Sequence, residues 1–212
     1  MGIKKAEIIV AGIVILSLVV SIYFYPQLPE KMATHWNARG EVDGYTPKVL
    51  GLFLMPGLIA ITALVLFFIP KIDPLKVNIE KFRKYYDGFI ILFCIFLLSA
   101  HYFIILWNLG IRISISVFLP IALGLLFFYM GILCENAKRN WFVGIRTPWT
   151  LSSDIVWEKT HKIGGRLFKI AAIIVLAGAL WPEYAIVFVL VPVLSVAVFT
   201  VLYSYFEYQK VK

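Results

Sequence analysis

The chain has 212 residues, of which 61% are hydrophobic and 15% charged, with a mean hydropathy of +0.89 and a formal net charge of +8. Soluble domains carry about 45–50% apolar and roughly 25% charged residues, so this composition excludes a water-soluble fold, and the length leaves one compact bundle with little outside it. The Lys and Arg residues gather in short loops between apolar runs and form no continuous basic stripe, which argues against direct nucleic-acid binding.

A helix crossing a hydrocarbon core of about 30 Å needs about 20 apolar residues, and runs at 6–25, 49–69, 88–107 and 115–133 meet that length. The first run exceeds the usual 7–15-residue core of a cleaved signal peptide and lacks an A-x-A site, so it is expected to stay as an anchor. The stretch 168–206 is too long for one helix. Trp181-Pro182-Glu183-Tyr184 supplies a turn with interfacial aromatics, giving a fifth span at 168–180, extended by its preceding residues, and a sixth at 185–206. Cys94 and Cys134 fall in or at the end of apolar runs and read as small buried hydrophobes, not as a disulfide. The expected fold is an all-α polytopic membrane helix bundle of six transmembrane helices, a single membrane domain over 1–212. With the N-terminus inside, only Lys31, Arg39, Lys48 and Arg112 of the 20 Lys and Arg lie outside, while the rest, from Lys4 and Lys5 to Lys210 and Lys212, are cytoplasmic. That asymmetry predicts N-in and C-in.

Two polar segments stand apart from the spans. The outer one, 26–48, has Gly40 and Gly44 behind Arg39 and Asp43, and Met32 to Trp36 alternate weakly, so an ordered hairpin or tight loop with one short strand is expected. His35, Glu41 and Asp43 suggest metal ligation by type, but their spacing matches no ligand pattern and no second His or Cys accompanies them. A solvated loop on the bundle mouth is the plainer reading.

The inner segment, 135–166, contains Ser152 and Ser153, either suited to cap a helix with Asp154 in its first turn, and Gly164-Gly165 suited to end it. A short cytoplasmic interfacial helix between spans four and five follows from that pattern. Trp157 and His161 are four apart, as are Glu158 and Lys162, which places an aromatic–imidazole edge and an ion pair on adjacent strips. Trp141, Trp149 and Trp157 interleave with Arg139, Arg146 and Lys159 as suits a layer at headgroup level, and anchoring alone would use such residues.

The run Asn140-Trp-Phe-Val-Gly-Ile-Arg-Thr-Pro-Trp-Thr-Leu-Ser-Ser153, followed by Val156-Trp-Glu-Lys-Thr-His161, resembles the signature of the SdpI family of immunity and signal-transduction membrane proteins. The outer Leu28-Pro-Glu-Lys-Met-Ala-Thr-His-Trp-Asn-Ala-Arg-Gly-Glu-Val-Asp-Gly44 looks like the small domain of unknown function that precedes that signature in many members. On this resemblance the outer-loop domain with its flanking spans covers approximately 15–60, and the SdpI-like region approximately 115–206. It implies a six-span protein of a bacterial or archaeal plasma membrane, with no enzymatic activity and no cofactor. In the family's best-known member the protein protects its cell from a secreted peptide toxin and, when toxin is present, holds a cytoplasmic winged-helix repressor at the membrane. Carried over by residue, Asn140, Trp141, Gly144, Arg146, Thr147, Pro148, Trp149, Trp157, Thr160 and His161 become the cytoplasmic partner-interaction motif. An apolar toxin reaching the outer leaflet would meet the loop at His35, Trp36, Asn37, Arg39, Gly40, Asp43 and Gly44.

Transport is the competing class. An ionisable residue within a span is a functional candidate by default, and His101, beside Ser99 and Tyr102, is the clear one. Pro56, Pro120 and Pro192 fall within spans, where helices tolerate proline. No mid-span carboxylate accompanies His101, no inverted repeat is evident, and neither H-E-x-x-H nor G-x-S-x-G occurs.

Overall fold

In a computed structural model the described residues are 2–212, with side chains from Lys5 onward, so the Lys4 of the inner charge count lies outside the described side chains. In chain order the elements are α1 (Gly2–Phe24), β1 (Lys31–Trp36), β2 (Val42–Pro47), α2 (Lys48–Ile72), α3 (Lys76–Lys81), α4 (Arg83–Asn108), α5 (Ile115–Asn136), α6 (Pro148–Ser152), α7 (Asp154–Ala177) and α8 (Ala185–Val211). Short 3₁₀ turns at Tyr25–Gln27, Gly178–Leu180 and Pro182–Tyr184 complete the chain. Six helices are long and apolar enough to cross a membrane, one for each expected span. Large apolar side chains such as Ile8, Leu64 and Val191 point outward. Lipid tails are as apolar as they are, so nothing drives such residues inward, and the helices meet instead through small residues and hydrogen bonds.

The bundle is assembled from two three-helix groups. In the first, α1, α2 and α4 pack together around Val10, Ile59, Tyr86, Ile90 and Cys94. In the second, α7 lies between α5 and α8. Its contact with α5 is close because Gly131 and Gly165 face each other: a Cβ on either would stand 2.6 Å from the other's carbonyl oxygen. The groups join where α4 packs on α5, and the core around Tyr86 continues across that seam to Leu133, Ala137 and Trp157. The loop 137–147, α6, the start of α1 and the end of α8 occupy one end of the bundle, and the β1–β2 hairpin occupies the other.

The structure changes two expectations about the inner segment. Ser153 does cap a helix, accepting the Val156 N–H, but that helix runs through Gly164-Gly165 to Ala177 and is itself the fifth span. In place of a helix stop, Gly165 provides close approach to α5, and Gly164 to Ile145 of the loop and Thr200 of α8. The separate short helix between spans four and five is α6. Pro148 opens it and Thr147 caps it, with Thr147 and Thr150 each accepting the other's backbone N–H at 3.1 and 2.9 Å. Among the described residues Glu158 and Lys162 form no ion pair, although Trp157 and His161 do stack, with ring centroids 3.9 Å apart. At the other end the short strand is joined by a second one, Val42–Pro47, whose Asp43, Gly44 and Pro47 disguise its alternation.

Candidate functional site

The motif loop is built by side chains that bond backbone groups. Asn140 is fully buried. Its Oδ1 accepts the N–H groups of Phe142 and Val143 at 2.9 and 2.6 Å, and its Nδ2 donates to the carbonyls of Lys138 and Val143 at 2.8 and 2.9 Å. One amide thus uses both donors and its acceptor oxygen to close the turn, matching the full capacity of the group. The neighbouring Trp141 N–H donates to Asp73 Oδ2 at 2.9 Å, while Asp73 Oδ1 accepts from Leu75 N–H at 2.6 Å. Asp73, buried at the end of α2, therefore ties the first helix group to the loop.

His161 holds the next stretch. Its Nε2 accepts the Ile145 N–H at 2.9 Å and its Nδ1 donates to the Trp157 carbonyl at 2.8 Å. A backbone N–H only donates and a carbonyl only accepts, so these partners assign a neutral ring with its proton on Nδ1. Gly144 has φ +110°, and a Cβ there would meet His161 Nε2. Only glycine lets the loop lie across the imidazole. Trp157 stacks on that ring and donates its indole N–H to the Ala137 carbonyl at 2.9 Å. Thr150 Oγ1 donates to the Ile145 carbonyl at 2.9 Å, and the Thr147 and Ser204 hydroxyls meet at 3.0 Å, fastening α6 to α8. Beside them Glu207, almost wholly buried, pairs with Lys159 at 2.7 Å and Lys210 at 2.5 Å.

Burial divides the motif residues into two sets. Asn140, Thr147, Trp157 and His161 are buried and form the scaffold of the loop, and Thr160 is buried on α7, so they offer no surface to a partner. Trp141, Gly144, Arg146 and Pro148 are exposed, and Trp149 is half-buried with its indole edge against Tyr205. Arg146 lies over the loop and donates to the Trp141 carbonyl at 2.8 Å. Asp73 and Ser204 are structural partners that the sequence does not single out. The Asp73-Pro74 pair is a turn-initiating signal that points to the first of them.

The hairpin carries the second set of candidates. A turn over Asn37 to Gly40, closed by the Gly40 N–H on the Asn37 carbonyl and with Gly40 at φ +78°, joins β1 to β2. Asn37 Oδ1 accepts the N–H groups of Arg39 and Glu41, and Glu41 Oε2 accepts from Asn37 Nδ2 and Arg39 Nε at 2.9 and 3.1 Å. The Asn37 amide, then the Arg39 guanidinium, hold the Glu41 carboxyl below the usual carboxylate range. His35 Nδ1 and Asp43 Oδ1 are 2.5 Å apart. His35 and Asp43 therefore face each other while Glu41 turns to Asn37 and Arg39, and the three do not converge as a ligand set. Gly44 leaves room for His35, whose Cβ would lie 2.8 Å from a Cβ added there. Trp36 packs its indole against Phe103 and Trp107 of α4, with centroids 5.0 and 5.6 Å away. Asn108 clasps Ala33, accepting its N–H at 2.8 Å and donating to its carbonyl at 2.9 Å.

His101 is fully buried between α1, α2 and α4. Its partner is neither Ser99 nor Tyr102 but Ser21, at 3.0 Å, whose hydroxyl also lies 2.9 Å from the Ser17 and Leu52 carbonyls. The contact is an interhelical hydrogen bond of the sort that holds membrane helices together.

Comparison with known proteins agrees with the motif resemblance. Residues 12–60, comprising most of α1, the hairpin and the first half of α2, match a domain of unknown function, DUF1648. Residues 136–204, comprising the motif loop, α6, α7 and most of α8, match the SdpI/YfhL protein family. The chain is 28% identical over 207 residues to Immunity protein SdpI of Bacillus subtilis (strain 168), covering 97% of each chain. No solved structure matches it.

Proposed function

From a chain that carries a DUF1648 region followed by an SdpI/YfhL family region, we propose a membrane-embedded immunity protein that protects its cell from a secreted antimicrobial peptide. The observation that carries this reading is similarity to an immunity protein along nearly the whole length of both chains. The protein sits in a bacterial or archaeal plasma membrane with both termini and the motif loop in the cytoplasm, since that orientation puts all but four of the 20 basic residues inside. The hairpin then faces the toxin, and its exposed His35, Arg39 and Asp43 are the groups available to meet it. No bond is made or broken, and no cofactor is required.

Sensing is the second part of the proposal. A toxin signals only by preferring one arrangement of the bundle over another. The hairpin is clasped to α4 through Asn108 and joined to the start of α2 through Lys48 and Glu30, 2.8 Å apart. The far end of α2 carries Asp73, which holds Trp141. A tilt of the hairpin therefore has a covalent path along α2 to the motif, where Trp141, Arg146 and Pro148 are exposed to a winged-helix repressor.

Survival of a sensitive host challenged with a secreted peptide toxin from the same organism tests the first part. The wild type protects, and a His35→Ala/Asp43→Ala variant present in the membrane at equal abundance protects less. A wild type that gives no protection removes the immunity reading. A C-terminal reporter active only outside the cell removes the orientation. Capture of the repressor by the wild type and by Arg146→Ala tests the second part, and equal capture in the presence and absence of toxin rules sensing out.

A further inference from the structure

An open polar cavity of about 580 Å³ lies at the motif end, between α3, the end of α5 and the first half of α7. Its size falls in the range of small-ligand sites. Five cations line it: Lys81 on α3, Lys138 and Arg139 on the loop, and Lys162 and Arg166 on α7. Arg139 is paired with Asp154 at 2.7 Å, and the cavity's Glu135 is taken by Lys169 at 2.8 Å. Among the described residues Lys81, Lys138, Lys162 and Arg166 have no carboxylate within 4.0 Å. Among the described residues the one lining carboxylate without an ion pair is Glu158. Four cations without a carboxylate partner, of which Lys81 donates to Asn78 Oδ1 at 2.9 Å, thus meet one carboxylate without a cation around a single space, with the Trp157–His161 stack among the walls.

We propose that this cavity binds a phosphate-bearing anion, the headgroup of an anionic phospholipid. Membrane sidedness requires basic residues in the inner loops, but it does not require four of them, from three elements, to converge on one cavity. Basic pockets between membrane helices are the form that recognition of anionic headgroups takes. Depth favours a lipid over a soluble phosphate. A hydrocarbon core of about 30 Å corresponds to about 20 residues of helix, and measured back from Leu180 at the other end of this span it ends close to His161. Lys162 therefore stands at that boundary, and Arg166, about 6 Å further in, has the long side chain that reaches back along the helix toward the lipid phosphates. Glu158, Lys162 and Arg166 also follow one another at four-residue steps, along one face of α7. The site is independent of the immunity reading, since it uses neither the hairpin nor the exposed face of the motif.

Native mass spectrometry of the purified full chain in neutral detergent, with added phosphatidylglycerol or phosphatidylcholine, tests the assignment. Each cation near an anionic surface is worth about a fivefold change, so Lys138→Gln/Lys162→Gln/Arg166→Gln is expected to weaken phosphatidylglycerol binding roughly 10- to 100-fold. Lys71→Gln/Lys76→Gln/Lys84→Gln removes the same charge from the same end of the bundle but outside the cavity, and is expected to stay within about twofold. Glu158→Gln removes the free carboxylate and is expected to tighten binding by about twofold to fivefold. Equal retention of the two lipids, or equal losses in the two triple variants, overturns the proposal. Inorganic phosphate as the second probe separates the sources. Phosphatidylglycerol that resists displacement by it supports the lipid headgroup, whereas direct phosphate binding, lost in the cavity variant alone, keeps the phosphate site and assigns it a soluble ligand.

Discussion

At the hairpin end the chain turns through Asn37 to Glu41 with polar side chains that bond one another in the open, whereas at the motif end the buried side chains of Asn140, Asp73 and His161 bond the backbone of the loop. The two segments are polar in similar proportion, yet their polar residues serve different ends. A hydrogen bond in water replaces one to the solvent and nets little, while a buried backbone group that loses its partner costs about 1–3 kcal/mol. The hairpin turn is therefore free to rearrange around a ligand, and the motif loop is a fixed platform that presents Trp141, Arg146 and Pro148.

The largest test of this contrast is Asn140→Ala. It removes the acceptor of the Phe142 and Val143 N–H groups in a partly buried loop, and unfolding followed by circular dichroism in detergent should show a loss of roughly 2–3 kcal/mol. A loss below about 0.5 kcal/mol, the level of an ordinary surface change, would break the contrast. Asn108→Ala is expected to cost less, about 1–2 kcal/mol, because β1 keeps its pairing with β2 when Ala33 is released. Proteolysis in the hairpin should quicken while the melting of the bundle barely moves, which separates the dock from the platform. The smallest effect belongs to Glu41. Its carboxyl is held below the ordinary value of 4.5, so its contribution to the turn is fully present above that value and is lost as pH falls through the lowered one. Amide exchange of the turn should rise over that acid range and the motif loop should not respond.

The six spans are legible because hydropathy alone specifies them: a helix in lipid must satisfy its own backbone, so length and apolarity suffice. The hairpin is half legible. Gly40 announces its turn, but β2 hides behind Asp43, Gly44 and Pro47. The inner segment misleads in a regular way. Gly164-Gly165 has the appearance of a helix stop because in water such a pair exposes the backbone, whereas inside the bundle it is a contact surface, Gly165 toward α5 and Gly164 toward Ile145 and α8. The motif's Trp, Thr and His types suit a surface layer as well as a buried scaffold, and only the fold separates Trp141, at 50% exposure, from Trp157 at 2%. Long-range partners such as Asp73 for Trp141, or Ser21 for His101, leave no mark in local spacing.

The division of the bundle into two three-helix groups has a consequence for biogenesis. Spans 1, 2 and 3 with their hairpin emerge from the ribosome first and pack on one another, down to the Asn108 clasp, before α5 arrives to cover the remaining face of α4. Asp73 and the Asn78 side chain wait for the later half, which brings the Trp141 N–H and the Arg139 carbonyl to them. The chain between α4 and α5 is an exposed link over Gly110 to Ile113, so two fragments co-expressed from a break in that link carry every contact needed to reassemble in the bilayer, and Trp141 docking on Asp73 is the event that reports their reunion.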